Sequence, residues 1–246
     1  MNAQFLMAKC IAIAITIALT STSCVTGPGR EAVENAQAAA TVRNDGGLAA
    51  GKTRPSALAE LRALQTEFGD NARTQSDVRF RIAMLQTTGG LRRDAEAAWA
   101  ALGADPDLTT DQEALFRTRE ALMFLFSRPN GETRSLENRQ FLENAEKPSA
   151  LSAIEGFQGI AEDRKVSSPL RVYGAYHRAY LAWRLRKDTP SSDAQMARVQ
   201  DAFAEARTAL ETLWAATTQP NRSSVAGTDL ERKIEALRAK ESYRSD

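Results

Sequence analysis

Aromatic side chains at helical spacing between residues 170 and 187 are the groups of this chain best suited to recognition chemistry. Six residues form this group, called the aromatic stripe below: Tyr173, Tyr176, His177, Tyr180, Trp183 and Arg184. Intervals of three and four residues place such side chains on one face of a helix. One interpretation makes this face a wall of a concave groove that binds a peptide or a partner helix. The other packs it against Phe203, Leu210 and Trp214 of the following helix, and the sequence leaves both open.

Groups suited to catalysis are sparse by comparison. His177 is the single histidine of the chain, so the sequence predicts neither a nucleophile–histidine–acid set nor a Cys/His metal cluster. The acidic residues between positions 137 and 146 lie among arginines, a pattern typical of an exposed, salt-linked helix face. We therefore expect no enzymatic activity, no cofactor and no metal ion.

One segment matches a nucleotide-binding pattern by its letters alone. Gly46 to Thr53 (GGLAAGKT) satisfies the phosphate-loop pattern G-x-x-x-x-G-K-[ST]. No apolar strand precedes the segment, and Pro55 follows it closely. A phosphate loop requires a strand before it and a helix after it, so we interpret the match as chance.

The first 24 residues have the order of an export signal. Lys9 precedes an apolar run at 11–19, and small residues lead from there to Cys24. A run this short is typical of a signal peptide and not of a membrane-spanning helix. The segment resembles a bacterial lipoprotein signal, which a peptidase cuts before a cysteine that carries a diacylglyceryl group. Thr22 and Ser23 match the small positions of that pattern and Cys24 matches the lipidated one, whereas Ser21 stands where leucine is usual.

The resemblance implies removal of residues 1–23 and acylation of Cys24, with palmitate among the attached chains. Three acyl chains bury enough methylene groups to make such an anchor effectively permanent. Val25 after the cysteine implies the periplasmic face of the outer membrane in a Gram-negative cell. The alternative is an ordinary secretory signal cut after Ser23, which leaves the protein soluble in the periplasm or secreted, with a free thiol.

The charge balance excludes some classes of partner. Lys9 is the only charged residue among the first 23, so the 32 basic and 31 acidic side chains of the full chain are balanced after cleavage. A neutral chain lacks the basic surface that nucleic acids or anionic lipids require. We expect no nucleic-acid partner, and contact with the membrane only through the lipid at Cys24.

Composition divides the rest of the chain into two parts. Residues 24–54 contain few large apolar side chains and many glycines and alanines, so we expect a flexible tether with one short helix at 31–42. Residues 55–246 form the predicted helical domain, in which apolar side chains recur at intervals of three and four.

The helical domain is predicted to be all-α. Capping boxes at Thr110, Ser192 and Thr228, and prolines at positions 55, 148 and 169, indicate where helices begin. We predict helices over 55–68, 75–87, 92–103, 110–127, 133–146, 149–162, 169–187, 192–217 and 228–242. Short connections between them favour antiparallel hairpins, stacked as a short solenoid or as an irregular bundle.

Residues 77–108 resemble a tetratricopeptide repeat. Ala83 falls on the first helix, Gly90 at the turn, and Ala95 and Trp99 on the second helix, although Arg79 stands where the family has an aromatic residue. The resemblance implies stacked helical hairpins that bind other proteins. The string Pro-Ser-Ala-Leu at 55–58 also recurs at 148–151, which suggests duplicated halves, 55–147 and 148–246, or chance.

Three functions remain open at this point. The first is a lipid-anchored, non-enzymatic adaptor or scaffold that binds an envelope protein in an outer-membrane, pilus or secretion assembly. The second is a structural or stress-related lipoprotein without a dedicated partner groove. The third is a hydrolase or binding protein for a small envelope molecule, which a closed polar pocket with two facing carboxylates would favour.

Overall fold

A computed structural model describes residues 28–69, 71–103, 106–126, 136, 142–143, 146–217, 227–240 and 243. Within these ranges the chain forms ten helices and no strand, apart from a single bridge between Val42 and Leu48, so the predicted all-α fold is confirmed. The helices are α1 (Pro28–Ala39), α2 (Arg54–Glu67), α3 (Ala72–Gly89), α4 (Arg92–Leu102), α5 (Thr110–Arg117), α6 (Arg119–Phe126), α7 (Lys147–Glu162), α8 (Ser168–Asp188), α9 (Met196–Ala216) and α10 (Gly227–Arg238).

Helix α8 lies at the centre of the larger core. It packs between α7 and α9, and α10 also contacts it. Fifteen of its 21 residues are buried. Gly174 permits the closest approach to α7, because a Cβ atom there would lie 2.8 Å from Cγ2 of Ile160. Most of this helix is therefore covered by its neighbours.

The N-terminal part of the described chain forms a second apolar cluster. Helices α1, α2 and α3 enclose it, and its buried members are Ala38, Val42, Ala57, Leu61, Leu64, Phe68, Val78 and Leu85. Residues 38–48 are therefore packed structure, and the predicted flexible tether is wrong for this stretch.

Side chains of α3 hold this stretch in place. Arg81 donates from Nη1 to the carbonyl of Val42 at 2.5 Å, and the Thr74 hydroxyl donates to Glu34 at 2.8 Å. Gly46, at φ +79°, permits close backbone contact, since a Cβ there would lie 2.7 Å from Cγ2 of Thr88. Composition missed this packing because small residues bury little area of their own but allow close approach. Cys24 and the signal segment lie outside the described residues, and the domain boundaries stay predictions.

Helices α3 and α4 form the predicted hairpin. Gly90 ends α3 in the left-handed conformation at φ 91°, and Ala83 and Ala95 are fully buried. The indole of Trp99 packs edge-on against Phe80, with ring centroids 5.8 Å apart, and donates from Nε1 to the Thr87 hydroxyl at 3.0 Å. The placement of these residues is confirmed, while membership of the tetratricopeptide family stays a prediction.

One predicted cap and one predicted helix start are wrong, whereas the predicted start of α5 at Thr110 is confirmed. The capping box before α5 uses Thr109 and Gln112, one residue earlier than predicted. Helix α9 begins at Met196 and not at Ser192, because the Asp193 carboxylate accepts from the backbone amide of Gln195 at 2.9 Å and keeps that segment in a turn.

The other helix predictions are partly confirmed. The predicted helix 110–127 is interrupted at Thr118, whose hydroxyl and backbone amide both donate to the Ala114 carbonyl, at 2.9 and 3.2 Å. Prolines begin α2, α7 and α8 as predicted. Most of the predicted helix 133–146 lies outside the described residues. None of the described helices is long and apolar enough to cross a membrane.

Candidate functional site

The aromatic stripe lies inside the molecule. All six of its side chains belong to buried residues, between 2% and 7% exposed. Four of them, Tyr173, Tyr176, Tyr180 and Trp183, share one apolar cluster with Phe203, Leu210 and Trp214 of α9. The stripe therefore does not form an open groove wall, and the packing interpretation describes these residues.

His177 occupies a cage of aromatic rings. Its imidazole centroid lies 4.3 Å from Tyr173, 4.9 Å from Tyr176, 5.3 Å from Phe157 and 5.8 Å from Phe126. Burial, with the charge of Lys233 adding to it, holds the pKa of His177 well below 6.5. The imidazole is therefore neutral in the folded protein. Its Nδ1 atom is buried without a hydrogen-bond partner among the described residues.

Arg184 has a structural role. Its guanidinium donates to the backbone carbonyl of Leu136 at 3.1 Å and to the Tyr180 hydroxyl at 3.3 Å. It also pairs with Asp188 at 3.4 Å, and that carboxylate accepts from the backbone amide of Leu142 at 2.8 Å. This buried network ties the end of α8 to the chain that leads into α7.

Two neighbouring cavities open beside Tyr173, between the segment 39–48 and α8. The first, called the Asp111 cavity, has a volume of about 360 Å³ and extends toward the N-terminus of α8. The second, called the His177 cavity, has a volume of about 340 Å³ and reaches α10 through Asp229 and Lys233. Arg43, Asp45 and Tyr173 line both. Only Tyr173 and His177 of the aromatic stripe contribute to these cavities.

The carboxylates of the Asp111 cavity are engaged by the protein. Asp111 accepts from the backbone amide of Ser167 at 2.9 Å and from its hydroxyl at 2.5 Å. Asp45 accepts from Nε of Arg43 at 3.2 Å and from the amide of Gly47 at 2.9 Å. Arg81, also on the lining, is held by Asp77 at 2.8 Å. Each carboxylate of this cavity is thus already an acceptor of hydrogen bonds from the protein.

The His177 cavity carries charges of both signs at its mouth. Lys233 approaches Asp229 at 3.6 Å, and their side chains are 33% and 51% exposed. Burial raises the pKa of Asp229, but the hydrogen bond from Arg232 and the charge of Lys233 outweigh it and lower the pKa overall. Asp229 is therefore ionised at neutral pH.

The phosphate-loop-like segment serves the start of α2. Lys52 pairs with Glu60 at 2.5 Å, and the Thr53 side chain caps α2 by accepting from the backbone amide of Ser56. Both groups are thus used locally, which agrees with the chance interpretation of the pattern.

Sequence reasoning missed the charged residues that line the cavities. Arg43 precedes the Asn-Asp-Gly-Gly turn signal at 44–47 and Asp45 belongs to it, within the stretch predicted to be a tether. Asp229 and Lys233 lie one turn apart on α10. Their position beside His177 depends on how α10 packs, and no local signal contains that information.

Comparisons with known proteins add no relative to this description. No protein-family model matches the chain, and no curated protein or solved structure is significantly similar to it. Among the described residues, no group of three or more histidine, cysteine, aspartate or glutamate side chains is arranged to hold a metal ion.

Proposed function

We propose that this chain is an exported, lipid-anchored envelope protein that acts as a non-enzymatic adaptor for another protein. Its place is the periplasmic face of the outer membrane, through the acylated Cys24. The partner belongs to an outer-membrane, pilus or secretion assembly. The order of charged, apolar and small residues before Cys24 supports the address.

The observation that carries the adaptor function is the Asp111 cavity. Its lining combines the apolar residues Leu170 and Tyr173 with charges of both signs. Arg43 stands at its mouth with 45% of its side chain exposed. An apolar centre with a polar rim is the usual anatomy of a protein interface, in which tyrosine and arginine are enriched. Tyr173 is the one member of the aromatic stripe that lines this cavity.

In-cell photo-crosslinking tests the proposal. A photoreactive amino acid at Ala39, an exposed residue that lines the Asp111 cavity, should yield one discrete adduct in the membrane fraction. The matched control places the same amino acid at Arg198 on α9, whose side chain is 68% exposed. An adduct specific to position 39 that disappears in Cys24→Ser supports an anchored adaptor. Equal adducts from both positions, or none from position 39, overturn it.

A structural or stress-related lipoprotein is the second candidate. It is favoured by the scarcity of apolar surface, since Leu91 is the one large hydrophobic side chain that is exposed in the described part of the chain. This function predicts that the protein stays in the membrane fraction while neither position yields a discrete adduct.

A further inference from the structure

The His177 cavity has the size of a site for a small molecule. Its volume of about 340 Å³ lies at the lower end of the range of about 300–1,000 Å³ for ligand pockets. Phe126, Tyr173 and His177 supply flat rings on its lining, and Leu48 and Leu230 add aliphatic surface. Such a lining suits a ligand with a compact aromatic or apolar body.

Positive charge exceeds negative charge on this lining. The lining contains three cationic side chains, those of Arg43, Arg54 and Lys233. It contains two carboxylates, those of Asp45 and Asp229. Asp45 is already bound by Arg43 and a backbone amide. Asp229 is shared by Lys233 and by Arg232, which is outside the lining. Both carboxylates of this lining therefore already have partners in the protein, and the three cations outnumber them.

Arg54 is the cation that gives this lining its excess of positive charge. Its guanidinium donates to the carbonyls of Leu85 and Thr88 in the last turn of α3, at 2.7 Å each. Within the described ranges no carboxylate lies in salt-bridge distance of it. Helix carbonyls carry only a partial negative charge, so the site keeps a net positive potential.

His177 provides an independent sign that a ligand belongs here. Its residue is 2% exposed, and its Nδ1 atom is buried without a hydrogen-bond partner among the described residues. Buried polar atoms in native proteins are nearly always paired with protein or water, so each exception requires an explanation. Rotation of the imidazole toward the cavity brings this nitrogen within reach of a bound molecule.

We infer that the His177 cavity binds a small organic anion, with a carboxylate, sulfonate or phosphate group on a compact aromatic or apolar body. The anionic group faces Arg54 and Lys233, and the body rests on Phe126 and Tyr173. The imidazole of His177, once turned toward the ligand, contributes one hydrogen bond. This inference goes beyond the adaptor function and does not rest on it or on the lipid anchor.

The test uses 8-anilinonaphthalene-1-sulfonate, an aromatic anion whose fluorescence rises when it binds an apolar site. The protein is the whole chain from residue 24, with Cys24→Ser so that no acyl chain binds the dye. The matched neutral probe is N-phenyl-1-naphthylamine, which has the same ring system without the sulfonate. We expect one saturable site for the anion and binding at least about tenfold weaker for the neutral probe, as expected for loss of one charge-assisted contact.

Two variants locate the site. Lys233→Gln should weaken binding of the anion about tenfold. Lys165→Gln, an exposed lysine in the turn between α7 and α8, should leave it unchanged. Helical circular dichroism shows that both variants remain folded. Equal affinity of the two probes, or equal effects of the two substitutions, overturns the inference.

The single histidine gives a second, independent measurement. Because His177 is the only histidine, its imidazole signals are unambiguous in a nuclear magnetic resonance spectrum. They should shift as the anion is added and reach saturation with the same dissociation constant as the fluorescence. An imidazole signal that does not move while the dye binds places the dye elsewhere and refutes the assignment.

Discussion

Replacing Tyr176 with alanine decides whether the aromatic stripe is core or surface. The residue is 3% exposed. Its ring lies 4.9 Å from that of His177 and stacks on Tyr180 with centroids 6.1 Å apart. Alanine at this position therefore leaves a cavity between rings on the central helix.

The expected loss follows from the area involved. A buried tyrosine covers about 150–250 Å², which at about 25 cal/mol per Å² corresponds to about 4–6 kcal/mol. Alanine retains part of this burial, and desolvation of the hydroxyl offsets another part. We expect a decrease of about 3–5 kcal/mol in the free energy of unfolding, as for other aromatic-to-alanine changes in cores. Typical domains have only about 5–15 kcal/mol in total.

Urea unfolding followed by circular dichroism measures this loss, with the m-value as a check that the same surface is exposed. Leu91→Ala is the matched control, since Leu91 is 40% exposed and surface changes of this kind cost about 0.5 kcal/mol. Tyr176→Phe keeps the ring and should cost no more than about 1.5 kcal/mol, the usual net value of one hydrogen bond.

The result that refutes the reasoning is a loss below about 1 kcal/mol for Tyr176→Ala, equal to that of Leu91→Ala. The ring would then be solvated in solution, and the open-groove interpretation of the stripe would return. If the alanine variant does not fold at all, Tyr176→Leu gives a smaller loss on the same scale and keeps the comparison with Leu91→Ala usable.

Three further predictions concern packing, pH and anchoring. Gly174→Ala should destabilise the fold by about 1–3 kcal/mol through overpacking, because the added Cβ lies 2.8 Å from a branched side chain of α7. Gly159→Ala meets nothing within 4 Å and should stabilise by about 0.5–1 kcal/mol; thermal unfolding compares the pair. Burial holds the pKa of His177 low in the fold, so stability is complete above about pH 6.5 and falls by about 1.4 kcal/mol per pH unit below it, down to the folded pKa. His177→Phe should remove that slope in urea titrations between about pH 7.5 and 5.5, and an unchanged slope contradicts the assignment. Cys24→Ser should abolish labelling by radioactive palmitate and release the protein from the membrane fraction, whereas Cys10→Ser should do neither; a label that persists without Cys24 rules out the anchor.

The helical elements were predictable because their signals are local. Apolar residues at intervals of three and four, and prolines at first-turn positions, act within one helix and need no partner. Helix starts that depend on one side chain were less certain. Thr109, and not the predicted Thr110, is the N-cap of α5. The turn that Asp193 stabilises places the first residue of α9 at Met196.

The candidate site was predictable only in part. Tyr173 and His177 were singled out by spacing, and both line the cavities. The sequence did not indicate that most of the same helix is buried, because α8 carries Arg178 and Arg184, which are typical of a solvated face. Partners from other elements make their burial tolerable. Glu162 and Glu205 form ion pairs with Arg178. The carbonyl of Leu136 accepts a hydrogen bond from Arg184.

The sequence by itself determined the fold class, the positions of most helices and the prediction of an export signal ending at Cys24. Only the tertiary structure decided that the stripe is core, that the segment 38–48 packs on α3, and that α10 brings Lys233 to His177. The physical reason is the separation along the chain over which each kind of interaction acts. Helical hydrogen bonds and hydrophobic period link residues three or four apart, whereas a cavity is made by elements far apart in the chain whose docking depends on the shape of the whole core.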